Sequence, residues 1–125
     1  ILAAEDNELN AEILLELLNM SNVVCDLVSN GQELVEAFEK SEPGQYDLIL
    51  TDIQMPVMNG YDAARAIRAG SHTRGKVIPI VAMTANAFAE DVKEAMDAGM
   101  DAHVAKPIDM KNLEAVITEL VKKKY

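Results

Sequence analysis

The segment YDLILTDIQMPVMNG, residues 46–60, contains one complete strand-to-helix transition and shows the pattern that the whole chain follows. Its apolar run LILT indicates a buried strand, and Asp52 follows that run directly. Pro56 restricts its own φ angle, and Gly60 permits a backbone turn that other residues avoid. We therefore predict a rigid loop after Asp52 and a helix that begins near Tyr61.

The same alternation of apolar run and amphipathic segment occurs five times along the chain. Strands buried on both faces are predicted at residues 1–4, 22–28, 46–51, 77–83 and 103–105. A segment with the apolar period of a helix follows each of them. Strands that alternate with helices imply a parallel sheet with right-handed crossovers. We predict an α/β fold, a doubly wound (βα)5 parallel sheet, in one domain over residues 1–125.

Capping residues mark the ends of the predicted helices. Asn7 is expected to cap the first helix, and Asn30 the second, with Glu33 three residues later as in a capping box. Gly70 and Gly99 are expected to end the third and fourth helices, and Asp109 to start the fifth. The first helix is predicted from an apolar stripe formed by Leu9, Ile13, Leu17 and Met20.

The composition excludes several classes of function. A net charge of −10 argues against a general nucleic-acid surface, which needs clustered Lys and Arg. The single cysteine, Cys25, cannot form an internal disulfide and is expected to be a core thiol. No apolar run approaches the roughly 18 residues of a membrane span, and no signal peptide is visible. We expect a cytoplasmic domain, and the start at ILAA without Met indicates a piece of a longer polypeptide.

Four polar residues each close a different apolar run: Asp6, Asp52, Thr84 and Lys106. Ligands of open parallel sheets bind at the carboxyl ends of the strands, so the four are expected to form one site. Each also has an ordinary explanation, such as a favourable helix N-terminal charge for Asp6 or an Asx-turn for Asp52. Together with Glu5, the aspartates suit a hard cation such as Mg²⁺, which binds carboxylates, carbonyls, water and phosphate oxygens.

The chemistry available to such a site is phosphoryl transfer. The Asp52 carboxylate can act as a nucleophile toward phosphorus and form an aspartyl phosphate. The Thr84 hydroxyl and the backbone N–H of Ala85 can donate to phosphoryl oxygens, and the Lys106 ammonium can pair with Asp52 before reaction and with phosphate after it. The loop after Asp52 can present the backbone carbonyl of Gln54 to a cation.

Taken together, ILAAEDN, LILTDIQMPVMNGYDAARAIR, IPIVAMTANA and HVAKPID resemble the receiver domain of two-component response regulators. The resemblance covers essentially the whole chain, with its motifs in the right order and spacing. It implies a flavodoxin-like sheet of strand order 2-1-3-4-5 flanked by five helices. It also implies Mg²⁺-dependent transfer of a phosphoryl group from a phosphohistidine to the aspartate, with a histidine kinase or histidine phosphotransfer domain as the partner.

The resemblance assigns a role to each site residue. Asp52 is the phosphoacceptor and Asp6 a direct metal ligand, while Gln54 supplies its carbonyl to the metal. Glu5 stands where Asp is commoner, so it is expected to act through water. The residues that contact the phosphoryl group are Thr84, Ala85 and Lys106.

His103 stands where the family usually has a switch aromatic, and its ring is expected to swing inward together with Thr84. The ordinary alternative is a partly exposed histidine at a strand end. Both interpretations place the imidazole at the edge of the predicted site.

The motifs are most similar to receivers of bacterial hybrid sensor histidine kinases. This similarity implies a parent protein in the inner membrane. The domain itself is expected to contact neither the membrane nor nucleic acid. A stand-alone receiver is the alternative. Such a domain catalyses its own phosphorylation and dephosphorylation. Two other functions stay open: an interaction module that accepts no phosphate, and a hydrolase with an aspartyl-phosphate intermediate. The hydrolase usually needs a second Asp where this chain has Gln54.

Overall fold

The computed structural model describes residues 1–20, 23–53, 55, 57–84, 89–105 and 110–124. Residues 89–92, 110 and 121–124 are described by their backbone alone. Its strands are β1 (Leu2–Ala4), β2 (Asp26–Val28), β3 (Ile49–Asp52), β4 (Ile80–Thr84) and β5 (Ala102–Ala105). Its helices are α1 (Glu8–Met20), α2 (Gly31–Lys40), α3 (Gly60–Ala69), α4 (Ala89–Asp97) and α5 (Met110–Lys124).

The five strands form one parallel sheet of order β2-β1-β3-β4-β5, which confirms the predicted flavodoxin-like topology. The order reverses direction beside β1, so that β1 and β3 are neighbours although a helix-strand-helix segment separates them in the chain. Ligand sites in open α/β sheets lie at such a switch point, outside the carboxyl ends of the strands.

Apolar side chains fill both sides of the sheet. Successive residues of β3 face opposite layers: Ile49 packs with α2 and α3, whereas Leu50 packs with α1 and α5. Ile80 and Val81 divide in the same way on β4. Because both faces are covered, the central strands are fully buried and mostly apolar, as the sequence predicted.

The predicted helix caps are confirmed where the structure describes them. The Asn7 side chain accepts from the backbone N–H of Asn10 at 3.0 Å. The Asn30 side chain accepts from the N–H of Glu33 at 2.8 Å, while the Glu33 carboxylate accepts from the N–H of Ser29. These bonds satisfy donors that a helix leaves open at its first turn. Asp109 lies outside the described residues.

The helix predicted from the apolar stripe is confirmed as α1, but most of the stripe is exposed to solvent. Leu9 and Met20 are 66% and 78% exposed, and Ile13 is 44% exposed. The buried face of α1 is formed by Ala11, Leu14 and Leu18. Leu14 and Leu18 of this face pack with Leu50 of β3 and Val81 of β4 in one layer of the core.

Four strands begin later than predicted: β1 begins at Leu2, β2 at Asp26, β3 at Ile49 and β4 at Ile80. Cys25 precedes β2 and is half-buried, and burial raises the pKa of its thiol. No helix in the described part of the chain has the length and apolar character needed to cross a bilayer.

Candidate functional site

Three carboxylates meet at the carboxyl edge of the sheet. Glu5 and Asp6 are the first two residues after β1, and Asp52 is the last residue of β3. Since Ala4 pairs with Thr51 across these strands, the acids that follow are adjacent in space. One carboxylate oxygen of each residue lies within 4.8 Å of the others. The sequence predicted this convergence, and the structure confirms it.

The burial of the three acids differs in a way that suits a cation site. Glu5 and Asp52 are 4% and 7% exposed, whereas Asp6 is exposed. Buried carboxylates this close repel one another in a medium of low dielectric, and a positive charge between them relieves the repulsion. Three oxygen donors with one side open to solvent fit the preference of Mg²⁺, which keeps several of its waters.

Backbone hydrogen bonds fix the position of Glu5. Its N–H donates to the carbonyl of Val28 at 3.1 Å, which joins the end of β1 to the end of β2. Its carboxylate accepts from the N–H of Asn7 at 3.3 Å. These bonds hold the Glu5 side chain in the acidic cluster. The cluster lies near the start of α1, where the partial positive charge of the helix favours an acid.

Thr84 lies on the neighbouring strand at the same edge. It is the last residue of β4 and is 5% exposed. Asp52 pairs with Met83, so Thr84 stands one residue beyond Asp52 along the sheet edge. Its own partner in the register is Ala105, the residue before Lys106. The strand ends therefore bring Thr84 to the edge that carries the acids.

Three predicted site residues, Gln54, Ala85 and Lys106, lie outside the described residues, so their roles stay predictions. His103 lies on the edge strand β5, opposite Ala82, and its side chain is exposed. An exposed imidazole agrees with an ordinary histidine at a strand end. It also agrees with a switch residue that points outward before phosphorylation and turns inward afterwards. Its role as a switch also stays a prediction.

The loop between β3 and α3 is closed by contacts that only glycine permits. The N–H of Gly60 donates to the carbonyl of Ile53 at 2.8 Å, and a Cβ on Gly60 would collide with the carbonyl oxygen of Asp52. Within the loop, Val57 has a φ angle of +68°. Sequence reasoning identified Gly60 but missed Val57 and a second glycine contact, that of Gly31 with Met58. The repeated Asn-Gly pair at the starts of α2 and α3 was the available signal.

A separate cleft of about 970 Å³ lies at the opposite, amino-terminal edge of the sheet, between the starts of β1 to β3 and α5. The Tyr46 hydroxyl donates to the Asp26 carboxylate there at 2.7 Å. Burial, with help from this carboxylate, raises the pKa of Tyr46 to about 12. The predicted site residues are absent from the described lining of this cleft.

The fold and the acidic cluster define a class: a flavodoxin-like domain that presents carboxylates for a divalent cation at the switch point of its sheet. The family model described as the response regulator receiver domain matches residues 1–118. The chain belongs to this family, as its motifs indicated.

Relatives with curated descriptions carry the matching region inside much longer proteins. The hybrid signal transduction histidine kinase G of Dictyostelium discoideum is 42% identical over 119 residues, which are 94% of this chain and 3% of that protein. The peroxide stress-activated histidine kinase mak1 of Schizosaccharomyces pombe is 36% identical over 97% of this chain and 7% of that protein. The chain thus spans a small fraction of the relatives it matches.

Solved structures of receiver domains superpose closely on the chain. The receiver domain of the sensor histidine kinase PA1611 from Pseudomonas aeruginosa has a TM-score of 0.87 and 34% identity, over 97% of this chain and 95% of that one. That structure has a magnesium ion coordinated in its active-site cleft. The receiver of Ssk1 from Saccharomyces cerevisiae, crystallised with the histidine phosphotransfer protein Ypd1, has a TM-score of 0.84 and 30% identity, over 98% of this chain and 88% of that one.

Proposed function

We propose that this domain is the receiver of a phosphorelay and that Asp52 accepts a phosphoryl group from a phosphohistidine in a Mg²⁺-dependent reaction. The observation that supports it most is the convergence of Glu5, Asp6 and Asp52, with carboxylate oxygens within 4.8 Å, in a chain of the receiver family. The related receiver that holds magnesium in its cleft supports the choice of cation.

In the proposed reaction, an oxygen of the Asp52 carboxylate attacks phosphorus opposite the histidine nitrogen. The new O–P bond forms as the P–N bond breaks, and the bonding electron pair returns to the imidazole, which takes up a proton. Asp52 becomes a mixed anhydride of carboxylic and phosphoric acids. Alignment and charge neutralisation carry most of the catalysis in such transfers.

The residues that would hold the cation are Asp6 and Asp52 directly, the carbonyl of Gln54, and Glu5 through water. When bound, Mg²⁺ neutralises charge on the phosphoryl oxygens. Thr84, Lys106 and the N–H of Ala85 would donate to those oxygens, and the movement of Thr84 and His103 toward the phosphate would bias the equilibrium of a partner-binding face.

Phosphorylation with a small donor tests this function. Acetyl phosphate with Mg²⁺ is expected to give one hydroxylamine-sensitive acyl phosphate per chain, and removal of Mg²⁺ with EDTA is expected to abolish it. Beryllofluoride binding that depends on Mg²⁺ should follow the same pattern. If the folded domain gave neither, the alternative of an interaction module without phosphorylation would replace the proposal, and continuous turnover of phosphate esters would favour the hydrolase.

The exposed stripe of α1 supports a docking surface for the donor domain. Its residues begin at Leu9, three positions after Asp6, so the stripe starts at the mouth of the site. An apolar row of this length on one helix marks an interaction surface. A row of exposed glutamates, Glu8, Glu12 and Glu16, runs beside it. We propose that this face binds a helical histidine phosphotransfer or histidine kinase domain whose own apolar surface is flanked by Lys and Arg.

Replacing Leu9 and Ile13 together by Ala is expected to lower kcat/KM for transfer from a phosphorylated histidine phosphotransfer domain by about tenfold or more, because truncating well-packed interface residues costs roughly 1–2 kcal/mol. Phosphorylation by acetyl phosphate should stay unchanged, since a small donor needs no docking surface. Val24→Ala, at an 82% exposed apolar side chain outside α1, serves as the control. Equal losses with both donors would contradict docking on α1.

The parent protein is proposed to be a hybrid histidine kinase, with residues 1–125 forming one receiver domain on the cytoplasmic side of an inner-membrane sensor. The curated relatives named above, which are histidine kinases, support the histidine-kinase parent. A stand-alone receiver is the alternative, and the sequence of the gene on both sides of this segment decides between them.

A further inference from the structure

Gly31, the first residue of α2, lies against the loop that follows the phosphoacceptor. Its N–H donates to the carbonyl of Met58 at 3.0 Å. A Cβ at this position would collide with that carbonyl oxygen and would stand 2.9 Å from the Met58 carbonyl carbon and 3.1 Å from the oxygen of Asn59. All three atoms are backbone, so no side chain can move aside. Only glycine lets α2 approach the loop this closely.

The loop needs such support because its conformation is unfavourable for its own residues. Val57 has a φ angle of +68°, in the left-handed region that β-branched residues avoid, at a cost on the order of 1–2 kcal/mol. Its side chain is 81% exposed, so packing of that side chain does not repay the cost. Surrounding backbone bonds must hold the turn, and among the described residues they include those of Gly60 to Ile53 on one side and of Gly31 to Met58 on the other.

The same segment also reaches the acids of β1. The carbonyl of Val28, at the end of β2, accepts the N–H of Glu5 at 3.1 Å, and three residues later Gly31 contacts Met58. The turn between β2 and α2 is thus attached to the Glu5 backbone at one end and to the loop after Asp52 at the other. The turn is itself rigid, because Asn30 and Glu33 form the capping bonds described above.

We infer that Gly31 is a positioning residue for the cation site: its contact with Met58 holds the described part of the loop after Asp52, and the turn that precedes it is bonded to Glu5 through Val28. This inference rests on the proposed function. Gly31 itself contributes no ligand atom. Its effect is transmitted through a backbone contact whose geometry a single methyl group would change.

Gly31→Ala is expected to weaken Mg²⁺ binding by about tenfold or more, measured by isothermal titration calorimetry, since outer-shell changes at metal sites commonly cost 10–100-fold. Amide hydrogen exchange at Val57 to Gly60 should accelerate in the metal-free variant. The control is Gly44→Ala, where a Cβ meets nothing within 4 Å although φ is +88°. That variant should lose stability through backbone strain, with its Mg²⁺ affinity unchanged.

Adding Val57→Gly to Gly31→Ala tests the route of the effect. Glycine tolerates a positive φ angle and lets the loop adjust to the new methyl group, so the double variant should recover much of the Mg²⁺ affinity. If Gly31→Ala lowered stability while Mg²⁺ affinity and loop exchange matched the wild type, the inference would be overturned. Lack of recovery in a folded double variant would equally count against the route through the loop.

A measurement on the wild-type protein does not depend on how well the variants fold. Addition of Mg²⁺ is expected to slow hydrogen exchange of the Gly31 amide together with that of Gly60, because both bonds close the same loop. Mg²⁺ binding that leaves the Gly31 amide unaffected would overturn the inference alone. If the protein bound no Mg²⁺ at all, the proposed function itself would fail, so the two failures are distinguishable.

Discussion

Asp52→Asn is expected to abolish phosphorylation of the domain by both acetyl phosphate and a phosphohistidine donor. The amide has nearly the shape of the carboxylate but lacks the anionic oxygen that attacks phosphorus. It also removes one of the three charges from the cluster, so Mg²⁺ affinity should fall as well. Because Asn keeps one acceptor oxygen, the free energy of unfolding should stay within about 1 kcal/mol of the wild type.

Incorporation of hydroxylamine-sensitive phosphate, followed by mass spectrometry of the intact chain, measures this loss. Asp97→Asn is the matched control, since it makes the same change of charge at an exposed residue at the end of α4. The control should be phosphorylated at the wild-type rate. Phosphorylation of Asp52→Asn at that same rate would show that another group accepts the phosphoryl, and Asp52 would lose its assigned role.

The meeting of the acids could be predicted because it depends only on topology. In a parallel sheet every strand ends at the same edge, so residues that follow apolar runs are neighbours however far apart they lie in the chain. Topology alone therefore places Asp6 and Asp52 together. The starts of the strands could not be predicted in this way, because Tyr46 and Val77 are apolar yet precede the ladder.

The orientation of α1 shows what an apolar period leaves undecided. The helix carries large apolar residues on two adjoining stripes, and the period alone does not say which of them faces the sheet. The small residue Ala11 marks the buried side, together with Leu14 and Leu18. The stripe of Leu9 and Ile13 is then left exposed, and it becomes informative about partners because the core does not account for it.

The contact of Gly31 with Met58 could not be read from the sequence for a different reason. It joins backbone atoms of residues far apart in the chain, and a glycine offers no side chain whose chemistry reveals a partner. The hydrogen bonds that the Arg68 guanidinium donates to the carbonyls of Gly75, Ile78 and Gly99 could not be predicted from the sequence either. An arginine near the end of a helix is normally solvated. The carbonyl oxygens around Arg68 come from the loops before β4 and before β5, whose paths the sequence does not reveal.

Arg68→Met is expected to have the largest effect on stability of the substitutions considered for this domain, about 3–5 kcal/mol. The guanidinium donates to the carbonyls of Gly75 at 3.1 Å, Ile78 at 2.7 Å and Gly99 at 2.8 Å and 2.9 Å. It also donates to the Asp101 carboxylate at 2.9 Å. One side chain thereby joins the end of α3 to the loops before β4 and before β5.

The size of the loss follows from the groups that the substitution leaves behind. The Arg68 side chain is only 18% exposed, and methionine preserves much of its apolar stem without any donor. Each partly buried carbonyl left without its donor costs roughly 1–3 kcal/mol. Burial lowers the pKa of Arg68, and the nearby Asp101 carboxylate partly offsets this effect. The guanidinium nevertheless stays charged at neutral pH, so wild-type Arg68 retains all its donors.

Urea unfolding of Arg68→Met beside Arg65→Met measures the effect against a matched arginine of the same helix. Arg65 makes an exposed pair with Asp62 at 3.1 Å, with side chains 49% and 58% exposed, so its loss should cost less than about 1 kcal/mol. Equal losses for the two variants would contradict the structural role assigned to Arg68.

The position of Arg68 adds a sharper expectation. Its partners Gly99 and Asp101 precede β5, and Ile78 precedes β4, so its contacts lie at the amino edge of the sheet, opposite Asp52. Where Arg68→Met remains folded, its Mg²⁺ affinity should therefore equal that of the wild type. Gly31→Ala should show the reverse, a weaker cation site for a smaller loss of stability. The two variants together distinguish a residue that stabilises the fold, Arg68, from a residue that determines the affinity of the cation site, Gly31.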